Sequence, residues 1–164
     1  MYVVRPLEGP GDETIEKLSK ATFDVAEYVI EFAKKEGMAD GMQPIGDSMA
    51  MHLACHARAQ NMGAKGAEVL RLIPEAKVTV VERCSGHGGS WGIMKGNYET
   101  ALKVGKPAAR TALKSNAKYI ASECPLAAEH LMQGIENLDA DGVDAKTALH
   151  PIELLAKSYG LSEE

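Results

Sequence analysis

The sequence predicts an α/β fold: a small parallel sheet with flanking helices, preceded by an N-terminal helical arm and followed by a C-terminal helical tail. Two observations predict it. Short apolar runs alternate with longer segments of helical periodicity, and strands that alternate with helices usually pair in parallel through right-handed crossovers. The chain of 164 residues, 45% of them apolar, is long enough to bury the core that such a fold needs.

The arm and its linker comprise residues 1–47. Asp12 is placed to cap a first short helix, and apolar residues from Val25 to Ala33 lie on one face of a second helix, which ends at Gly37. The segment 37–47 contains three glycines and one proline and has no periodicity, so a linker is predicted there. The main domain is therefore expected to begin near Ser48.

The cysteine-rich main domain comprises residues 48–138, and a tail comprises residues 139–164. The predicted strands are 49–54, 77–82 and 118–122, and the helical patterns are 63–73, 97–115 and 125–135. Pro107 lies inside the second helical pattern and is expected to kink that helix or split it in two. The tail has a polar loop over 139–144 and then a short helix from Pro151 to Gly160.

The charge of the chain excludes some classes of partner. A formal net charge of -5 disfavours nucleic acid, whose phosphates require a basic surface. No apolar run reaches the length of a membrane span, and the four residues before the first charge are too few for a signal-peptide core. We therefore expect a cytoplasmic protein that does not itself span a membrane and binds small molecules or proteins.

The three cysteines give the sharpest functional signal. Cys55, Cys84 and Cys124 each follow the carboxyl end of a predicted strand. In an open parallel sheet these ends share one edge, where ligands bind, so the thiols are expected to converge. Thiolates suit soft metals and therefore favour an iron–sulfur cluster or zinc over magnesium or calcium. The alternative is a set of inert buried thiols.

Residues near the cysteines support a metal centre. Gly86 and Gly89 permit a tight loop after Cys84 and leave backbone amides free to donate to cluster sulfurs. Cys124 precedes Pro125, a favoured first helical residue, so the helix dipole would stabilise its thiolate. Histidines lie close to the thiols and are candidates for a further ligand: His52 and His56 beside Cys55, and His87 three residues after Cys84.

Three blocks of sequence together resemble a known family. They are His52-x-x-Cys55-His56-x-Arg58, Cys84-Ser85-Gly86-x-x-Gly89 and Cys124-Pro125, and they are similar to the cysteine-rich "CCG" domain of heterodisulfide reductases and of the iron–sulfur subunit of anaerobic glycerol-3-phosphate dehydrogenase. The resemblance covers residues 48–138. It implies an α/β fold in which the three thiolates hold a [4Fe–4S]-type cluster that passes electrons to a quinone, a disulfide or another centre.

This chain differs from the usual pattern of that family at two positions, because Ser85 and Ala127 stand where further cysteines are common. A cubane held by three cysteines would take its fourth ligand from His87, His56, Ser85, a partner or an exogenous molecule. The three thiolates and one histidine would equally suit tetrahedral zinc.

The resemblance also implies a partner. Family members commonly join two such domains behind a ferredoxin-like segment, whereas this chain resembles one domain, so a further subunit or domain with its own iron–sulfur centres is expected. The leading hypothesis is an electron-transfer module of a heterodisulfide reductase-like or glycerol-3-phosphate dehydrogenase-like oxidoreductase. The alternatives are a zinc-binding or metal-free structural or interaction domain, and a thiol enzyme with Cys84 or Cys124 as nucleophile.

Overall fold

The computed structural model describes residues 13–46, 48–138 and 148–161, and it confirms the predicted α/β fold. Its strands are β1 (Ser48–His52), β2 (Lys77–Val81), β3 (Tyr119–Ser122) and β4 (Ala148–Leu149). Its helices are α1 (Glu13–Ala21), α2 (Val25–Glu36), α3 (Cys55–Ala59), α4 (Lys65–Leu70), α5 (Tyr98–Lys114), α6 (Pro125–Glu136) and α7 (Pro151–Ser158).

The sheet has the strand order β2-β1-β3-β4, and all of its pairings are parallel. In the central strand β1, Met51 lies opposite Val80 of β2 and Ala121 of β3. All of the strands therefore point the same way and finish at one edge. The segments that leave β1, β2 and β3 start side by side at that carboxyl edge.

Two layers of helices cover the sheet, and alternate residues of β1 separate them. Met49 and Met51 enter a core formed with α2, α4 and α7, whereas Ala50 enters a second core formed with α5 and α6. Small residues of α5, such as Ala108 and Ala112, allow that helix to pack closely on the sheet. The carboxyl edge is thus flanked by both helical layers.

The arm consists of α1 and α2. Asp24 caps α2 by accepting a hydrogen bond from the backbone N–H of Ala26 at 2.8 Å. Ala26 and Ile30 bury one side of α2 in the core that contains α4. Asp12, predicted as the cap of the first helix, lies outside the described residues.

Of the two outcomes expected from Pro107, a kink or a split of the second helical segment, the split does not occur, because α5 is one continuous helix of 17 residues. A proline inside a helix removes the N–H that would bond the carbonyl four residues earlier, here that of Lys103. Both Lys103 and Pro107 are exposed, so water can satisfy that carbonyl. On the opposite side of α5, Ala108, Ala109 and Ala112 are buried in the second core, and this packing stabilises the helix.

The tail contributes to the sheet and to the core, although no sequence pattern indicated its strand. β4 pairs with β3, and Leu154 and Leu155 of α7 are buried in the core with α2 and α4. The predicted polar loop over 139–144 lies outside the described residues. Within the described part of the chain, no helix is both long and apolar enough to cross a membrane.

Candidate metal centre

The three cysteines lie beyond the ends of three adjacent strands. Cys55 opens α3 after β1, Cys84 lies in the loop after β2, and Cys124 is the N-cap residue of α6 after β3. All three are free thiols; Cys55 and Cys84 are exposed and Cys124 is partly buried. The Cys124 side chain makes no capping hydrogen bond to α6, so its sulfur is available to a ligand.

A buried histidine joins the segments that carry these cysteines. His52, the last residue of β1, is only 1% exposed. Its Nε2 lies 2.9 Å from the backbone oxygen of Arg83, and its Nδ1 lies 3.1 Å from the Ser122 Oγ. Since Arg83 directly precedes Cys84 and Ser122 lies two residues before Cys124, the ring of His52 spans the starts of both cysteine segments.

The partners of His52 determine its tautomer. A carbonyl only accepts, so Nε2–H donates to Arg83, and Nδ1 accepts from the Ser122 hydroxyl. The same hydroxyl accepts the backbone N–H of Cys124 at 3.3 Å. Burial lowers the pKa of His52, against the opposing effect of the Arg83 hydrogen bond, so the ring is neutral. With both nitrogens engaged, His52 supports the site instead of offering a ligand atom.

The loop that carries Cys84 packs directly on the backbone of α5. Gly86 has a φ of 91°, and its N–H donates to the Cys84 Sγ at 3.4 Å. A Cβ on Gly86 would lie 2.1 Å from the Ala101 carbonyl oxygen, and a Cβ on Gly105 would lie 2.1 Å from the Ser85 carbonyl oxygen. Neither contact is sterically possible, so two glycines face each other across this interface.

Gly105 is a residue that sequence reasoning missed. A glycine inside a helical pattern has no local feature that distinguishes a packing role from a neutral one. Its importance depends on a contact with residues 85 and 86, which are distant in sequence. The predicted Gly89, by contrast, has a φ of 64°, and a Cβ on it would have no atom within 4 Å. The positive φ of the turn, and not a close contact, therefore favours glycine at this position.

His87 is held next to Cys84 by the same loop. Its Nδ1 lies 3.0 Å from the Oγ of the buried Ser85. Its backbone oxygen accepts the N–H of Gly92 at 2.7 Å. Burial lowers the pKa of His87, and its electrostatic interaction with His130 lowers it further. The neutral imidazole, which is the form that binds metals, is therefore favoured.

His130 of α6 has no hydrogen-bonding partner although it is 3% exposed. Both ring nitrogens are buried without a partner, and a buried polar group in this state costs about 1–3 kcal/mol. The ring packs edge-on against Tyr98, the first residue of α5, with centroids 5.9 Å apart. Because no thiol lies near His130 in the sequence, no sequence signal indicated a role for it.

A second group of ionisable residues lies on the other face of the sheet. Glu123, next to Cys124, accepts the N–H of Gly66 on Oε1 at 2.9 Å, while its Oε2 is buried without a partner. Burial raises the pKa of Glu123. His150 caps α7 through Nδ1, and burial lowers its pKa despite the opposing charges of Glu153 and Asp24. The charge of the partly exposed His56 also lowers the pKa of His150.

The donors at the carboxyl edge fit a soft metal in their chemistry. Three free thiols and neutral imidazoles are the ligand types that iron–sulfur clusters and zinc prefer. The two ring nitrogens of His130 have no hydrogen-bonding partner. Among residues 13–46, 48–138 and 148–161, however, no three histidine, cysteine, aspartate or glutamate side chains lie close enough to hold one ion. The ligand set predicted from the sequence, Cys55, Cys84, Cys124, His87 and His56, stays a prediction.

Comparison with known proteins gives consistent matches over this region. The family model described as "Cysteine-rich domain" (CCG) matches residues 49–130, which is half of the chain. One subunit of the anaerobic glycerol-3-phosphate dehydrogenase of Escherichia coli is 28% identical over 127 residues, which are 75% of this chain and 29% of that protein. One subunit of the dihydromethanophenazine:CoB–CoM heterodisulfide reductase of Methanosarcina barkeri is 31% identical over 73% of this chain and 30% of the relative.

A third relative is named only by its cofactor. An uncharacterized iron-sulfur protein of Methanocaldococcus jannaschii is 28% identical over 70% of this chain and 24% of its own length. The chain thus spans less than a third of each of these relatives. No solved structure matches the chain.

Proposed function

Since the chain belongs to the cysteine-rich domain family, we propose that it is an iron–sulfur electron-transfer module of an oxidoreductase. The observation that carries this proposal is that three free thiols follow the carboxyl ends of three adjacent strands of a parallel sheet. Cysteine thiolates are the usual ligands of iron–sulfur clusters, and the carboxyl edge of an open parallel sheet is where ligands bind. The printed names of the relatives, an iron-sulfur protein and subunits of two oxidoreductases, agree with it.

Cys55, Cys84 and Cys124 would bind the cluster, which we propose to be of the [4Fe–4S] type. When bound, such a cluster supplies reversible one-electron transfer. The Gly86 N–H, which already donates to the Cys84 Sγ, would offset negative charge on that sulfur and so favour the reduced state. His52 would keep the Cys84 and Cys124 segments at a fixed separation through its two hydrogen bonds.

A partner that carries further centres completes the proposed function. An electron-transfer module needs a donor and an acceptor, and the exposed Cys55 and Cys84 place the proposed cluster at the protein surface, within reach of a docked redox protein. The chain corresponds to less than a third of its relatives, so the remaining centres would lie on another subunit or domain. The cytoplasmic location predicted from the sequence stays a prediction.

Zinc is the second candidate for this site. The observation that favours it is the number of thiols: three thiolates and one neutral imidazole, such as His87, complete the tetrahedral set of a structural zinc site. In that case the chain would be a structural or docking domain. Electron transfer would then be confined to its partners.

Metal and sulfide analysis of protein purified without oxygen tests both candidates. We expect iron and acid-labile sulfide at about four per chain, with the visible and electron paramagnetic resonance spectra of a cubane. Cys84→Ser should lower the iron content, whereas Ser90→Ala, an exposed change in the same loop, should leave it unchanged. Zinc at about one per chain, or neither metal, would overturn the iron–sulfur proposal.

A further inference from the structure

We propose that the outer face of the arm binds a second copy of this chain, so that two α2 helices pack against each other about a two-fold axis. The outer face comprises Phe23, Val25, Tyr28, Glu31, Phe32 and Lys35. The inference goes beyond the proposed function, because α2 packs in the core on one side of the sheet, whereas the Cys84 loop packs on α5 on the other side. The second copy and the metal centre can therefore be tested separately.

Four large apolar side chains are exposed on the outer face. Tyr28 is 57% exposed, and Phe23, Val25 and Phe32 are 42%, 45% and 45% exposed. Val25, Tyr28 and Phe32 follow one another at intervals of three and four residues, so they form one stripe along α2. The Phe23 ring packs edge-on against Tyr28, with centroids 6.3 Å apart, and widens this stripe. The same spacing forms the narrow seam by which one helix contacts another.

A groove of about 410 Å³ runs along the stripe. It is lined by aromatic rings and charged side chains: Phe23, Tyr28, Glu31, Phe32, Lys35 and Glu36. Three rings of about 150–250 Å² each, close to half exposed, offer roughly 300 Å² to a second copy. A two-fold interface buries this surface on both copies, which gives about 600 Å² of the roughly 1,000 Å² that a specific interface needs. Val25 and the stems of the charged side chains add to it, so we expect a weak dimer.

The charges beside the stripe favour an antiparallel second copy. Glu31 and Lys35 are exposed, and neither forms an ion pair with another described residue. In a parallel pair of helices, each of them would face its own counterpart and repel it. In an antiparallel pair with Phe32 at the two-fold axis, Lys35 of one copy lies opposite Val29 of the other. Glu31 is two residues, or about 3 Å along the helix axis, from that position, which is within reach of a lysine side chain.

The outer face thus has the pattern that a two-fold interface requires. Such an interface uses the same surface on both subunits, so the surface must complement itself. Here the apolar stripe of one copy meets the stripe of the other, and two equivalent pairs of Glu31 and Lys35 form beside it. Phe32 of one copy packs on Phe32 of the other at the axis, and Glu36 lies opposite Tyr28. These charges therefore indicate a second copy of the chain as the occupant.

Sedimentation equilibrium of the full chain over a range of concentrations tests the second copy. Reductant and a chelator are included, so that neither a disulfide nor a shared metal can join two chains. We expect a monomer–dimer equilibrium. Phe32→Ser should raise its dissociation constant at least about tenfold, because this ring is buried at the centre of the interface on both copies. Val104→Ser is the matched control: Val104 is 49% exposed on α5, on the other side of the sheet, and its replacement should leave the dissociation constant unchanged.

Exchange of the two charges tests the antiparallel arrangement. Glu31→Lys places two lysines side by side across the interface, and Lys35→Glu places two glutamates there, so each variant should weaken the dimer. The double variant exchanges the charges and should restore the wild-type dissociation constant. The urea midpoint of each variant at a concentration where it is monomeric should stay close to that of the wild type, because both side chains are exposed. This measurement separates a weaker interface from a damaged fold.

Two results would overturn the inference. A wild-type chain that stays monomeric at every concentration would show that this face does not bind a second copy and is left for a different protein. A dimer that forms equally well in Phe32→Ser would place the contact elsewhere on the chain. A double charge variant that stays as weak as the single variants would refute the antiparallel pairing of Glu31 with Lys35.

Discussion

Replacement of Gly105 by alanine tests whether the Cys84 loop is positioned by the backbone of α5. The new Cβ would lie 2.1 Å from the carbonyl oxygen of Ser85 and 2.9 Å from its carbonyl carbon. Because both atoms are backbone, a side-chain rotation cannot relieve the overlap. The loop must move away from the helix, and Cys84 must move with it.

The size of the effect follows from two opposing contributions. Overpacking costs about 1–3 kcal/mol, and a clash with backbone is expected at the upper end of that range. Alanine inside a helix gains about 1 kcal/mol over glycine. The net loss of unfolding free energy should therefore be about 2 kcal/mol, which lowers the melting temperature of a chain of this size by roughly 4–8 °C.

Gly134→Ala is the matched control. It lies inside α6, it gains the same helix propensity, and its new Cβ would meet only the Ala109 Cβ at 3.1 Å. We expect its stability to be close to that of the wild type. Urea unfolding of the three metal-free proteins measures the difference, and the rate of Cys84 alkylation reports the moved loop. A Gly105→Ala protein as stable as Gly134→Ala, with unchanged alkylation, would refute the close approach.

Two further predictions concern buried ionisable groups in the metal-free protein. His52→Phe should lose about 2 kcal/mol of unfolding free energy, since two buried hydrogen bonds of about 1 kcal/mol each are broken. Burial lowers the pKa of His52 below 6.5 in the folded state, so the unfolded chain binds more protons below pH 6.5. The wild-type protein therefore loses stability as the pH falls from 6.5 through the pKa of folded His52. The urea midpoint should fall less steeply with decreasing pH in the variant than in the wild type. Glu123→Gln should raise the stability at pH 7 by about 1 kcal/mol, since it removes a buried charge whose Oε2 has no partner. Burial raises the pKa of Glu123 above 4.5 in the folded state, so the wild-type protein loses stability as the pH rises from 4.5 through the pKa of folded Glu123. The higher unfolding free energy of the glutamine protein should therefore vanish below about pH 4.5. If the glutamine protein is still more stable there, burial of the charge is not the cause.

The elements with strong local signals were predicted closely. Helix α6 was expected from 125 and begins at Pro125, and α2 ends before Gly37, because proline and glycine mark helix ends through their own backbone preferences. The strand predicted over 49–54 is Ser48–His52, because the chain leaves the sheet after His52 and Ala54 is already the N-cap residue of α3. Such short elements are fixed by packing and have no sequence period of their own.

The sequence by itself determined the α/β class, the parallel sheet and the placement of three cysteines beyond strand ends, because periodicity and turn residues act locally and strand direction then brings those ends together. Only the tertiary structure decided which side chains support the edge. The bonds of His52 to Arg83 and Ser122, the contact of Gly105 with Ser85 and the burial of His130 beside Tyr98 all join residues that are distant in the chain. Their roles depend on distances that arise when helices pack against the sheet, and no local pattern encodes those distances.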